Sequence, residues 1–253
     1  MTEPRTGRPV STRDPTNSPL WPSMVDAYLG VAPISFDDQV GVFLPPVTED
    51  QTQVPVTIDA RGLTGHVDEI LVIADLNPFP LTVRFTPIKA QPFIALRMKV
   101  EQGTAIHAAV RQGGEWRVGG KYLDAAGGGC SVRPPGQARA DLSTAGQIRA
   151  RAWADGATGT RLRLRISHPM DNGMIANTPA YFIETVEITG RDGAALAKLA
   201  LSEAVAPDPV FTLILEEERP SETLNIRARD NNGGDFRGVV RRPAASLREG
   251  ALR

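Results

Sequence analysis

Ile94-Ala95-Leu96-Arg97-Met98-Lys99-Val100 places an apolar side chain at every second position, and two further runs, Thr104–Arg111 and Trp116–Leu123, flank Gln112-Gly113-Gly114. A period of two belongs to a strand with one buried face. A Gly-Gly pair between two such runs predicts a tight hairpin, whose central residues need positive φ. Upstream, Val40–Leu44 stops at Pro45-Pro46, and Val54, Val56 and Ile58 alternate around a Pro55 that argues for an edge position. Ile70–Ile73 is a continuous apolar run ended by Asn77-Pro78, and Leu81–Phe85 alternates again. Seven short strands separated by turn residues predict an immunoglobulin-like β-sandwich over residues 21–124. Trp21–Tyr28, closed by Gly30, predicts one short helix before it.

Residues 1–20 are rich in Pro, Thr, Arg and Ser, show no apolar signal segment, and read as a disordered leader that packs against nothing. Residues 125–146 hold five Gly and two Pro with little periodicity, and read as a linker. Strand patterning then resumes. Leu162, Leu164 and Ile166 alternate with Arg161, Arg163 and Arg165, predicting one buried face and one cationic, solvated face. Tyr181–Ile188, Val210–Leu215, Leu224–Ala228 and Phe236–Val240 complete a second all-β set over residues 147–243, before a tail at 244–253. Leu196–Ala204 fits strand or helix equally. The expected fold is all-β: two immunoglobulin-like sandwiches in tandem behind a short N-terminal helix.

The chain carries 28 basic and 29 acidic residues, a net charge of -1, so no overall field draws nucleic acid or an anionic membrane. Asp75 interrupts the longest apolar stretch, far short of the ~20 residues of a membrane-spanning helix. His66, His107 and His168 lack metal-ligand spacing, and one cysteine excludes a Cys-cluster zinc site. There is no nucleophile elbow and no phosphate-binding loop. Cys130 follows Gly127-Gly128-Gly129. A glycine run has wide backbone freedom, so the expected state is an exposed thiol on a mobile arm. The residues alone favour an ordinary Gly/Pro linker in which the cysteine does nothing.

Ser167-His168-Pro169-Met170-Asp171-Asn172-Gly173, followed by Thr178-Pro179-Ala180-Tyr181-Phe182-Ile183, resembles the SoxZ pattern of bacterial sulfur oxidation. Asp208-Pro209 and Asp230-Asn231-Asn232-Gly233 are similar to the same family. Ala74-Asp75-Leu76-Asn77-Pro78-Phe79-Pro80 resembles an Asn-Pro-x-Pro region of SoxY, which ends in a Gly-Gly-x-Cys phrase. The order resembles fused SoxYZ-like carriers associated with quinoprotein dehydrogenases. The resemblance implies a periplasmic, non-enzymatic carrier that holds sulfur intermediates covalently on Cys130, with Gly127, Gly128 and Gly129 as its arm. It implies no cofactor beyond that adduct and no metal, and its partners would be sulfur-oxidation or quinoprotein-dehydrogenase proteins. His168, Pro169, Met170 and Gly173 would be structural, setting a turn at the inter-sandwich surface. The family's cysteine lies near a free glycine-rich end, whereas Ser131, Val132, Arg133 and Pro134-Pro135 follow Cys130, which implies shallower docking. One alternative is a docking module with an incidental cysteine; another is a thiol enzyme using His107 or His168 as base.

Overall fold

The computed structural model describes residues 13–132, 142–156, 159–175, 178–216 and 222–242. The short helix is present as α1 (Trp21–Met24), which widens into a π-helical turn over Val25–Leu29 and stops at Gly30, φ 68°. The first half holds β1 (Ile34–Phe36), β2 (Gly41–Phe43), β3 (Val54–Asp59), β4 (Glu69–Ala74), β5 (Leu81–Thr86), β6 (Ala90–Met98), β7 (Thr104–Gln112) and β8 (Glu115–Leu123). The second holds β9 (Ile148–Asp155), β10 (Gly159–Ile166), β11 (Ile183–Thr189), β12 (Ala195–Leu201), β13 (Val210–Glu216), β14 (Thr223–Asp230) and β15 (Asp235–Arg241). The ambiguous Leu196 segment is therefore a strand.

The sandwiches stand in tandem, and their sheets join edge to edge. A nine-stranded sheet runs β1-β8-β7-β4-β5-β12-β11-β14-β15, and a six-stranded sheet runs β2-β3-β6-β13-β10-β9. At the seam β5 meets β12, with Phe85 opposite Leu199 and Val83 opposite Leu201, while β6 meets β13, with Ile94 opposite Leu213. Pairing these strands removes edges that would otherwise invite other chains. One continuous core lies between the layers, from Val42 and Ile58 through Phe85, Ile94, Leu199 and Phe211 to Leu224 and Val240.

Local sequence explains the elements. The hairpin of β7 and β8 turns at Gly113 (φ 59°) and Gly114 (φ 85°), the double positive φ that this tight turn demands. Ile70–Ile73 is continuously apolar because β4 is buried on both faces. Ile70 and Val72 enter the main core, while Leu71 and Ile73 pack in a second cluster with Trp21, Leu29, Phe36 and Trp116. Pro55 does not lie on an outer strand, since β3 sits between β2 and β6; however, β2 reaches only Thr57–Asp59, so Pro55 faces no partner on that side.

The leader is a correction from Asp14 onward. Asp14 Oδ1 lies 3.1 Å from His107 Nε2, Ser18 Oγ donates to Asp75, and Trp21 stacks on the His107 ring at 4.1 Å. A short polar stretch can be held this way without an apolar surface of its own. Residues 1–12 of the expected leader, residues 133–141 of the expected linker and the tail 244–253 lie outside the described residues.

Candidate functional site

After β8 the chain turns back along the end of β6, and the glycines decide how. Gly127 and Gly128 take φ of 106° and 89°. At Gly129 an added Cβ would lie 2.2 Å from the Gln51 carbonyl oxygen and 2.4 Å from that of Val100. The Gly128 and Gly129 N–H groups donate to the carbonyls of Glu101 and Val100 at 2.8 and 3.1 Å. Glycine serves close approach here, not freedom.

This seats Cys130. The Glu101 carboxylate accepts the N–H groups of Cys130 (2.9 Å) and Ser131 (3.0 Å) and the Ser131 hydroxyl (2.7 Å). The Cys130 carbonyl accepts from Asn172 Nδ2 at 2.7 Å, so the second half also grips the segment. Asn77 braces the floor: its Nδ2 donates to the Lys99 carbonyl, and its Oδ1 accepts the Glu101 N–H. The expected exposed thiol on a mobile arm is thus overturned: Cys130 is 2% exposed. Burial pushes its pKa up to about 11, against the pull of the Lys99 ammonium and with the Glu101 carboxylate adding to the rise. Near neutrality only about 1 in 10⁴ such thiols is ionised, so the seated sulfur is chemically quiet.

Lys99 is buried beside it, its Nζ donating to the Met170 carbonyl. Burial lowers its pKa to about 8, while Cys130, Asp171 and Glu203 favour the charged form.

The His-Pro-Met turn forms the wall from the second half. The Met170 N–H donates to His168 Nδ1 at 3.2 Å, which leaves the imidazole proton on Nε2, 3.7 Å from Asp230 Oδ2. Burial lowers the His168 pKa to about 4 despite Asp230, so the ring is neutral. Tyr181 packs on it at 4.3 Å. The His168 N–H donates to Asp208 at 3.0 Å. Met170 adopts φ 51° with its side chain fully buried, and Gly173 turns the chain at φ 75°. Of the four motif residues, His168 and Met170 thus make contacts that hold the turn against Lys99, and Pro169 lies between them.

His107 sits elsewhere, fully buried, with Nδ1 2.9 Å from Asp75. Burial opposes its protonation, but Asp75 and Asp14 more than offset this and raise its pKa. Neither His107 nor His168 is hydrogen-bonded to Cys130, so the geometry of an imidazole-activated thiol is missing among the described residues. Those residues also hold no group of three or more His, Cys, Asp or Glu placed to bind a metal. Lys99 and Glu101 carried no sequence signal: they flank Val100 at the end of an alternating strand, where polar residues are expected to face water. Asn77 and Asn172 lie inside the family-like phrases, without a role readable there.

The cysteine seat closes the first half against the second, and the chain divides at this place in its family matches. Residues 25–130 match SoxY, sulfur oxidation protein SoxY, and residues 148–241 match SoxZ, sulphur oxidation protein SoxZ. The chain is a fused SoxYZ-like protein. Cys130 is the last residue of the SoxY match, and Asn172 belongs to the SoxZ match. The sulfur carrier protein SoxY from Chlorobium limicola f thiosulfatophilum is similar over 42% of this chain and 94% of its own, at 20% identity and a TM-score of 0.37. A glycosyl hydrolase family 2 member from Bacteroides cellulosilyticus is similar over 79% of this chain and 28% of its own, at 11% identity and a TM-score of 0.22. No curated protein matches. Membership of these two families makes this SoxYZ-like chain a carrier or partner protein of sulfur oxidation. No helix among its described residues is long and apolar enough to cross a membrane.

Proposed function

We propose that this SoxYZ-like protein carries sulfur-containing intermediates covalently on Cys130 and presents them to redox partners of sulfur-compound oxidation. The proposal extends to a quinoprotein-dehydrogenase-linked route and to the periplasm, both supported by the family resemblance. The observation that carries the reading is the seat. The cysteine segment is held by polar bonds to one carboxylate, Glu101, and one amide, Asn172, with three glycines offering no apolar side chain of their own. Such a latch is reversible at the cost of a few hydrogen bonds, whereas a core cysteine would be held by packing. Loading requires the segment to leave Glu101. Once returned, the adduct is shielded from stray oxidants, and the Lys99 ammonium supplies a counter-charge for an anionic sulfur group.

Tetrathionate tests the chemistry with balanced atoms. The Cys130 thiolate attacks a central sulfur, one S–S bond forms and one breaks, thiosulfate leaves, and Cys130 keeps an –S–SO₃⁻ group. Glu101→Gln removes the charged latch and is expected to speed this labelling about tenfold, since a charge-assisted bond is worth about 1.5–3 kcal/mol. Mass spectrometry of protein purified from its native host without reductant is expected to show a sulfur adduct confined to Cys130. A free thiol alone, together with a Cys130→Ser chain that supports sulfur oxidation at the wild-type rate, would overturn carriage. That outcome would instead support a docking module with an incidental cysteine, the reading favoured by the burial of the thiol.

A further inference from the structure

The outer face of the six-stranded sheet in the SoxZ half is a grid of arginines. Leu162, Leu164 and Ile166 of β10 turn into the core, which aims Arg161, Arg163 and Arg165 at solvent. The neighbouring strand β9 adds Arg149 and Arg151, so Arg163 stands directly opposite Arg151 and Arg165 opposite Arg149. Like charges facing each other across a strand pair destabilise a sheet. Only the ends of the grid are neutralised: Arg161 lies 3.7 Å from Asp155, and Arg165 lies 2.8 Å from Asp208. Among the described residues, Arg149, Arg151 and Arg163 have no carboxylate partner. The nine-stranded sheet is built otherwise. There Glu69 serves Arg84 and Arg111, Glu187 serves Lys198, and Asp235 serves Arg227 and Arg237.

Nothing in the fold requires this arrangement, because threonine or alternating charge would cover the same face without repulsion. Trp153 lies in the same layer, opposite Arg161, partly exposed, with the Arg151 guanidinium 5.4 Å from its ring centroid. Exposed tryptophan and arginine together are the side chains most enriched where proteins bind each other. Guanidinium groups pair carboxylates two bonds at a time.

We infer that the β9–β10 face of the SoxZ half docks an acidic patch on a partner protein of sulfur oxidation. The inference is independent of what Cys130 carries. The grid spans two strands about 4.8 Å apart with outward residues about 6.8 Å apart along each. That footprint suits a few carboxylates on a folded surface. Asp155 and Asp208, at its two ends, repel a continuous phosphate chain.

The test uses the full chain and, as probe, a surface-bound peptide of alternating Asp and Glu. The expected result is binding that weakens about tenfold between about 20 and 300 mM salt, and about tenfold again in Arg151→Glu/Arg163→Glu. The control Lys121→Glu/Arg237→Glu, on the other sheet, is expected to bind as wild type does. The neutral pair Arg151→Thr/Arg163→Thr guards against misfolding: it is expected to bind weakly while its Tm holds or rises, because a repulsion has been removed. Unchanged binding in either β9–β10 variant would overturn the inference. So would a fall in Tm for the threonine pair, which would give the arginines a structural role. Tighter binding of a DNA duplex of equal charge than of the peptide would overturn it in favour of nucleic acid.

Discussion

Gly129 is held by two carbonyl oxygens that any larger residue would strike, those of Gln51 and Val100. Neither is the far end of a flexible side chain, so the cost of Gly129→Ala falls on the backbone. Overpacking of this kind costs about 1–3 kcal/mol. The variant is expected to lower Tm by several degrees and to raise the rate at which a maleimide labels Cys130; calorimetry and timed mass spectrometry measure the two. The same residue explains why an exposed thiol was the natural expectation. A missing side chain permits both wide motion and tight approach, and the atoms that choose between them are backbone carbonyls distant in the chain. The place of Cys130 at the end of a SoxY-like half was legible from its phrase. Its burial was not, because Lys99, Glu101 and Asn172 reach it only through the fold.

Two polar elements respond to pH in opposite directions. His107 clamps the segment from Asp14 to Trp21, and its pKa is raised by its two carboxylates. Its stabilising charge is therefore fully present below the unfolded value of about 6.5 and is lost as pH rises through the raised folded value. Amide exchange in residues 14–21 is expected to accelerate over that rise beyond the intrinsic pH effect, and His107→Gln should abolish the excess. The His-Pro-Met turn behaves conversely. His168 is neutral when folded, with a pKa of about 4, so the unfolded chain takes up the proton first. Stability in the SoxZ half is expected to fall as pH drops from about 6.5 towards 4 and to level off below; denaturant titrations of wild type and His168→Gln check this. Strands with large alternating residues, such as β6 and β10, could be read directly. β9 gave a weaker signal, since its inward positions Ala150 and Ala152 carry little hydrophobic contrast.

For the molecule as a whole, the seam matters most. Two sandwiches were readable because each has its own turns and periods, but edge pairing between β5 and β12 and between β6 and β13 depends on partners more than a hundred residues apart. No local pattern encodes it. Because one core crosses the seam, the halves are expected to melt together, in a single calorimetric transition whose calorimetric and van 't Hoff enthalpies agree. Leu213→Ala, opposite Ile94 at the seam and fully buried, should shift that one transition by about 2–5 kcal/mol without splitting it.

The grip of Asn172 on the Cys130 carbonyl has a practical corollary. Since one jaw of the clamp comes from each half, the lone sulfur is a built-in strain gauge. Any ligand, mutation or denaturant that begins to part the joined sheets will register as faster thiol titration before global melting begins, and a single-wavelength colorimetric assay can read it.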